Sequence, residues 1–351
     1  MLSDRIEAKW IDAFETVFGL CKVAAGDEVA ILSETQSRAL NVHLTELALL
    51  RMGAKPVHLV MPTPPQSSPV PVRSTGASQA IQHSKAALAA LTSVPVIIDC
   101  TLEGLMHAPE LPTILKSGAR VMNISNEHPE ALERLIPTPE LKASVLAASR
   151  LARKSTEMRV TSPAGTDLTV NMHKAPAVGV WGYTSKPGTL AHWPGGLIVS
   201  FPKANSVNGT IVLDKGDINL TFKRYLEERL TLTIENDYIT HIDGSGTDYE
   251  LMTRYLAAWD DPLAYATSHV GWGLNPNARY EALAMYDKRD FNGTEIRAYA
   301  GNFLFSTGAN EFAGRFTEGH FDIPVRNCTI SLDGKVVVDG GKVVELRQAR
   351  G

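Results

Sequence analysis

The sequence predicts two domains of different texture: an α/β N-terminal domain over residues 1–155, built on a mainly parallel open sheet, and a β-rich α+β C-terminal domain over residues 156–351. Three observations predict this. The chain has 351 residues, enough for two domains at roughly 150 residues each. Up to residue 154, short apolar runs alternate with helical stretches, the pattern of βαβ units with right-handed crossovers. From residue 156 the chain becomes strand-length segments broken by turn residues.

The first half gives its elements in order. Residues 3–22 place Ile6, Trp10, Phe14 and Phe18 four apart behind Ser3, a candidate N-cap, so an amphipathic helix is expected. Val29–Leu32, an apolar run behind Gly26-Asp27, predicts a buried strand. Residues 37–52 predict a helix that Gly53 stops, and Lys55–Val60 the next strand, completing a βαβ unit. Residues 62–76 hold five prolines and predict an extended surface loop, a lid or an oligomer arm. The alternation then resumes: helix over 77–91, strand over 94–98, partial helix over 102–117, strand over 119–124. A helix over 138–154 closes the half, with basic residues in its last turn that favour the helix C-terminus without any ligand.

In the second half, strands are expected in residues 157–172, GLIVSFP, GTIVLD, DINLTF and LTLTIENDYITHIDG, with Asn236-Asp237 as a hairpin turn. One helix, 247–260, interrupts. The last strands are expected around 321–331 and 334–345.

Composition excludes several classes of function. Lys plus Arg is 34 against 38 Asp plus Glu, a net charge of −4. A general nucleic-acid or anionic-membrane binder needs a basic face instead. No run approaches the roughly 20 apolar residues of a membrane span. The start MLSDRIEAKW reads as neither signal nor transit peptide. Cys21, Cys100 and Cys328 are odd in number and far apart, as expected of reduced, buried thiols in a cytoplasmic protein.

There is no P-loop, no G-x-S-x-G elbow and no C-x-x-C pair, and Gly244-Ser245-Gly246 lacks the strand–glycine–helix setting of a dinucleotide fingerprint. Histidine and carboxylate remain. In His320-Phe321-Asp322, strand alternation would turn the imidazole and the carboxylate to one side and Phe321 and Ile323 to the core. The second H-x-D, His241-Ile242-Asp243, reads as a strand end running into a glycine-rich turn. Taken blind, either pair is more often a solvated polar face. In Ser268-His269-Val270-Gly271-Trp272-Gly273, the glycines permit close backbone approach. His107, in GLMHAPEL, follows a strand–helix junction, where open α/β sheets place ligands. His192, in AHWPGGL, lies at a turn into a strand, and Ser306, in FLFSTGAN, at a strand end. Two histidines and one carboxylate with open positions make the facial triad of non-haem Fe(II) oxygenases, which His269, His320 and Asp322 would supply. The pattern permits that triad without demanding it.

Four stretches carry a resemblance: TSPAGTDLTV (161–170), HWPGGLIVSFP (192–202), GWGLNPNARY (271–280) and GHFDIP (319–324). In this order they resemble the thermophilic aminopeptidase family of two-metal exopeptidases, which implies a thermophilic-aminopeptidase-like fold. The departures are informative. Leu197 and His269 stand where those peptidases carry glutamates, and Leu304 aligns with a histidine; of their ligands only His320 and Asp322 survive. A carboxylate-bridged two-zinc site cannot form from this set, whereas one metal with two histidines and an aspartate can.

The altered pattern, with EGLMHAPE, AHWPGG and SHVGWGLNP, looks like the 2,5-dihydroxypyridine 5,6-dioxygenase family of nicotinate degradation. That resemblance implies an extradiol-type ring-cleaving enzyme with a single non-haem Fe(II), O2 as co-substrate, 2,5-dihydroxypyridine as substrate and N-formylmaleamate as product. It implies His269, His320 and Asp322 on the metal, Ser306 near or on it, and His107 and His192 in the pocket as proton carriers. Trp193, Leu197 and Leu304 are expected to keep the planar ring dry and stacked. A homo-oligomer is expected, with neither nucleic acid nor membrane as a partner. The alternatives are a metallo-aminopeptidase with an altered site and a non-catalytic relative that binds a small ligand.

Overall fold

A computed structural model describes residues 4–65 and 78–345. Ser3, the expected cap, and residues 66–76 of the proline-rich stretch lie outside them. The chain divides into two compact units. The first runs up to Thr138 and adds Val180–Gly195 and Ala284–Glu295; the second comprises Pro139–Gly179, Gly196–Leu283 and the chain from Ile296.

The first stretch gives α1 (Ala8–Leu20), β1 (Glu28–Glu34), α2 (Ala39–Arg51), β2 (Lys55–Met61), α3 (Lys85–Ser93), β3 (Val96–Asp99), α4 (Leu111–Lys116), β4 (Arg120–Ile124) and α5 (Pro129–Arg134). β1 pairs in parallel with β2 and β3, as the βαβ pattern requires. Gly53 ends α2 in the left-handed region, at φ +75°. α3 begins at Lys85, later than expected, because the Ser84 hydroxyl accepts from the Ala87 N–H and fixes the start. α4 is short, and an ordered loop occupies residues 100–110 before it. The sequence reading missed α5, which opens with Pro129 behind the His128 ring as its cap.

The chain continues through α6 (Pro139–Lys154), β5 (Glu157–Thr161), β6 (Asp167–Asn171), β7 (Ala177–Val180) and β8 (Leu190–Trp193). β8 pairs in parallel with β4, so the first unit's sheet runs β2-β1-β3-β4-β8. The central strands β1 and β3 bury both faces, which makes their sequences largely apolar. Val29, Ile31 and Ile98 pack with Phe14, Phe18, Leu44 and Trp193 on one side. Ala30, Leu32 and Ile97 pack with Leu91, Leu105 and Ile114 on the other.

The rest is β9 (Leu197–Ser200), β10 (Val207–Leu213), β11 (Ile218–Asn219), β12 (Arg224–Tyr225), β13 (Leu230–Glu235), β14 (Tyr238–Asp243), α7 (Gly246–Ala257), β15 (Thr267–Gly273), α8 (Ala282–Met285), α9 (Thr294–Ala298), β16 (Phe303–Asn310), β17 (Arg315–Val325), β18 (Thr329–Leu332), β19 (Lys335–Asp339) and β20 (Lys342–Val343). One antiparallel sheet runs β14-β13-β10-β6-β5-β18-β19-β20. Asn236 and Asp237, at φ 50° and 80°, make the expected two-residue hairpin turn. DINLTF yields only the two residues of β11, because the Asn219 side chain accepts from the Phe222 N–H and turns the chain. A second sheet, β17-β16-β15-β9-β7, carries the site residues of this unit. Among the described residues, no helix is long and apolar enough to cross a membrane.

Candidate metal centre

Strand register assembles the centre. His269 on β15 stands opposite Ser306 on β16, which stands opposite Asp322 on β17. His320 precedes Asp322 by two residues and so shares its face, opposite Gly308. All four side chains converge on one atom, Oδ1 of Asp322. His320 Nε2 lies 3.2 Å from it and His269 Nε2 3.7 Å, and the Ser306 hydroxyl donates to it. The two imidazoles stack at 5.8 Å between centroids. Phe321 and Ile323, on the opposite face, are buried in the core.

His269 sits inside a strand, not in a loop. Its glycine neighbours serve sheet packing, since a Cβ on Gly271 would lie 1.9 Å from the Ile198 carbonyl oxygen. Ser306 also lies mid-strand, because β16 continues through Gly308 at φ +117°.

The surrounding groups orient these side chains. The Ser268 hydroxyl donates to the Ala309 carbonyl at 2.6 Å, so towards His269 Nδ1, 3.1 Å away, it can only accept. When His269 is neutral, its proton is thereby held on Nδ1, which leaves Nε2 as the atom available to a metal. Arg297, from α9, donates through Nε to the other carboxylate oxygen, Oδ2. Burial pushes the Asp322 carboxyl up, but the charges of Arg297, His320 and His269 outweigh it and hold the group well below the usual carboxylate range.

Two imidazoles, a carboxylate and a hydroxyl, with no thiolate, suit Fe(II). Among the described residues, no three His, Cys, Asp or Glu side chains are spaced to hold a metal ion as they stand. Here they close on the carboxylate oxygen itself, with contacts that a cation would take over.

Leu304 lies on the same face as Ser306, opposite Gly271 and Pro324, and Leu197 lies opposite Gly273; both are buried. Phe201 packs 5.6 Å from the His269 ring and 5.4 Å from Phe312.

His107 and His192 belong to the first unit. His107 is exposed, in the loop after β3. That loop is pinned by two carboxylates at strand C-termini. Asp99 accepts from the Thr101 and Leu105 N–H groups and from Asn123 Nδ2; Glu34 accepts from the Leu102 N–H. Burial pushes both carboxyls up. His192 is half-buried in β8, and its Nδ1 meets the Pro194 carbonyl at 2.8 Å, an acceptor that fixes the ring proton on Nδ1.

Trp193, expected to stack on the ring, packs in the core of the first unit. Alternation along β8 turns it to the face opposite His192, and it is fully buried. Its ring meets Phe14 edge-on at 5.1 Å and its Nε1 donates to the Leu135 carbonyl. His241 and Asp243 stand exposed on β14, the first strand of their sheet, as a solvated polar face.

The sequence reading missed Arg297, Ser268, Asp99 and Glu34. Ser268 adjoins His269 and could have been weighed as its partner. A lone arginine in a five-residue helix gives no signal.

Comparisons with known proteins give the family. The sequence profile of the 2,5-dihydroxypyridine 5,6-dioxygenase family matches residues 9–345. The 2,5-dihydroxypyridine 5,6-dioxygenase of Pseudomonas putida is 38% identical over 347 residues, covering 98% of each chain. The solved structure of the Pseudomonas putida dioxygenase superposes with a TM-score of 0.92, covering 100% of both chains. AmpT of Thermus thermophilus superposes with a TM-score of 0.60 at 14% identity, covering 96% of this chain and 99% of that one. That last likeness shows the fold alone, the aminopeptidase-like architecture expected from the sequence. With residues 9–345 matched by the family profile and a relative 38% identical over 98% of the chain, the chain belongs to the 2,5-dihydroxypyridine 5,6-dioxygenase family.

Proposed function

We propose that this protein is an extradiol-type, Fe(II)-dependent 2,5-dihydroxypyridine 5,6-dioxygenase that opens its substrate with O2 to N-formylmaleamate. The observation that carries the reading is the convergence of His269, His320 and Ser306 on Oδ1 of Asp322, in a chain that the family profile matches over residues 9–345.

His269 and His320 would hold the iron through Nε2 and Asp322 through Oδ1, with Ser306 as a fourth donor. Bound there, Fe(II) supplies the redox chemistry that lets O2 react with an electron-rich ring. The chain's own residues do the rest. Ser268 keeps the His269 Nε2 lone pair directed at the centre, and Arg297 keeps the Asp322 carboxylate charged and oriented. Leu197 and Leu304 present apolar surface beside the donors and exclude water. His192, with its proton held on Nδ1, takes a hydroxyl proton at Nε2. His107, on its pinned loop, is the second proton carrier. The aminopeptidase alternative lacks the carboxylates it needs, since positions 197 and 269 are Leu and His.

The test is anaerobic loading with Fe(II), followed by an oxygen electrode with 2,5-dihydroxypyridine. The expected outcome is oxygen uptake in step with loss of the pyridine chromophore. Chromophore loss that proceeds equally without O2 would overturn the reading.

A further inference from the structure

Resting on the ring-opening reading above, we propose that Asp99 is a positioning residue for His107: it sets the turn that carries the second proton carrier, and acts on the reaction only through it. Asp99 ends β3, and the loop after it, residues 100–110, folds back onto its carboxylate. Both oxygens are fully used. Oδ1 accepts from the Thr101 N–H at 3.0 Å and from the Thr101 hydroxyl at 2.7 Å. Oδ2 accepts from the Leu105 N–H at 2.8 Å and from Asn123 Nδ2, on β4, at 3.1 Å.

The bond to Leu105 is the one that reaches His107. Leu105 opens a turn, which its carbonyl closes by accepting from the Ala108 N–H at 3.0 Å. Leu105 and Ala108, the ends of that turn, are buried in the core of the first unit. Met106 and His107 are its two middle residues, and His107 is exposed. The direction of His107 therefore depends on a residue whose N–H is held by Asp99. The rest of the loop is tied in the same way. The Thr101 hydroxyl accepts from the Gly104 N–H at 3.1 Å, and the Gly104 carbonyl from the Ser78 N–H at 2.9 Å.

These contacts need a carboxylate and not the isosteric amide. Asp99 is fully buried, so it has no surface to offer a substrate, and its four donors are all uncharged. Burying a carboxylate without a cation is costly, and burial pushes this carboxyl up. Asparagine has the same shape and would avoid that cost. It would not serve, because each oxygen takes two donors. A side-chain amide has one oxygen, so its NH2 would face two donors and leave them unsatisfied. Two acceptor oxygens are needed to hold the strand end, Thr101 and Leu105 together.

The experiment uses the full chain loaded anaerobically with Fe(II), with oxygen uptake on 2,5-dihydroxypyridine as the rate. It compares Asp99→Asn in the wild-type and the His107→Ala backgrounds. In the wild-type background the substitution is expected to retain iron and lower kcat on the order of tenfold or more, since misplacing a reacting group by about 1 Å can cost 10²-fold. KM for the pyridine is expected to change far less. In the His107→Ala background the substitution is expected to cost nothing further, because a residue that acts through another has no effect once the other is gone. A merely structural loss would appear in both backgrounds. Thr101→Val, which removes one donor and keeps the carboxylate, serves if the asparagine variant does not fold; its loss is expected to be smaller and to vanish in the same way. An equal loss in both backgrounds, a loss of iron, or wild-type kcat in the folded variant overturns the inference while leaving the ring-opening reading intact. So does a normal kcat in His107→Ala alone. A wild type that takes up no oxygen with iron sinks both.

Discussion

Asp322 is buried yet held as a carboxylate. Burial alone would protonate it; Arg297 and the two imidazoles reverse the balance. A lone cation accepting the same oxygen would find its other ligands already gathered. His320→Ala and Asp322→Ala are each expected to lose bound iron, because each removes one of three or four ligands. His241→Ala and Asp243→Ala, the same H-x-D spacing on an exposed strand, are expected to keep it. Iron content by elemental analysis separates the pairs, and equal loss from both would mean the wrong strand was assigned. His107→Ala and His192→Ala carry a different expectation: iron retained, kcat down on the order of 10²-fold or more. A raised KM with kcat unchanged would mark them as binding contacts instead.

At the scale of elements, strand register does the assembly. β15, β16 and β17 each contribute one residue to a single cross-strand row. Nothing local says that Ser306 should meet Asp322 sixteen positions later; pairing does. Close packing around the row depends on glycine, as the 1.9 Å contact facing Gly271 shows. Elsewhere in the same unit, Asp217 ties two segments together by accepting from the Asp214 and Arg326 N–H groups. Burial pushes its carboxyl from the ordinary 3.8 to about 6. A folded-state pKa above the unfolded one means the folded chain binds more protons in that window. The contribution is full below 3.8 and is lost as pH rises through about 6. Asp217→Asn is therefore expected to flatten the fall in stability across this range, measured by denaturant unfolding in a pH series. A slope identical to wild type would place the titration on another group.

For the whole molecule, the decisive quantity is metal stoichiometry. An imidazole at 269 and a leucine at 197 leave nothing to bridge a second dication. One metal per chain is expected even in excess zinc, and zinc, which does not change redox state, is expected to support no oxygen uptake. Two zinc ions per chain together with hydrolysis of a leucyl-anilide would restore the peptidase reading. The sequence by itself determined the parallel α/β half, the β-rich half, the Asn236-Asp237 hairpin and the shortlist of histidines and carboxylates. Each of these is written in local periodicity, turn chemistry or a short motif. Alternation along a strand says which residues share a face but not which face meets what, so in the sequence only the family resemblance separated the two H-x-D pairs, and nothing showed that the Trp193 face is the one that packs on Phe14. Tertiary structure gathers His320 and Asp322 with His269 and Ser306 and leaves His241 and Asp243 exposed. It also supplied Arg297, whose partner lies twenty-five residues on, and whose role exists only because folding brings a short helix against the one carboxylate oxygen that the strand row leaves uncovered.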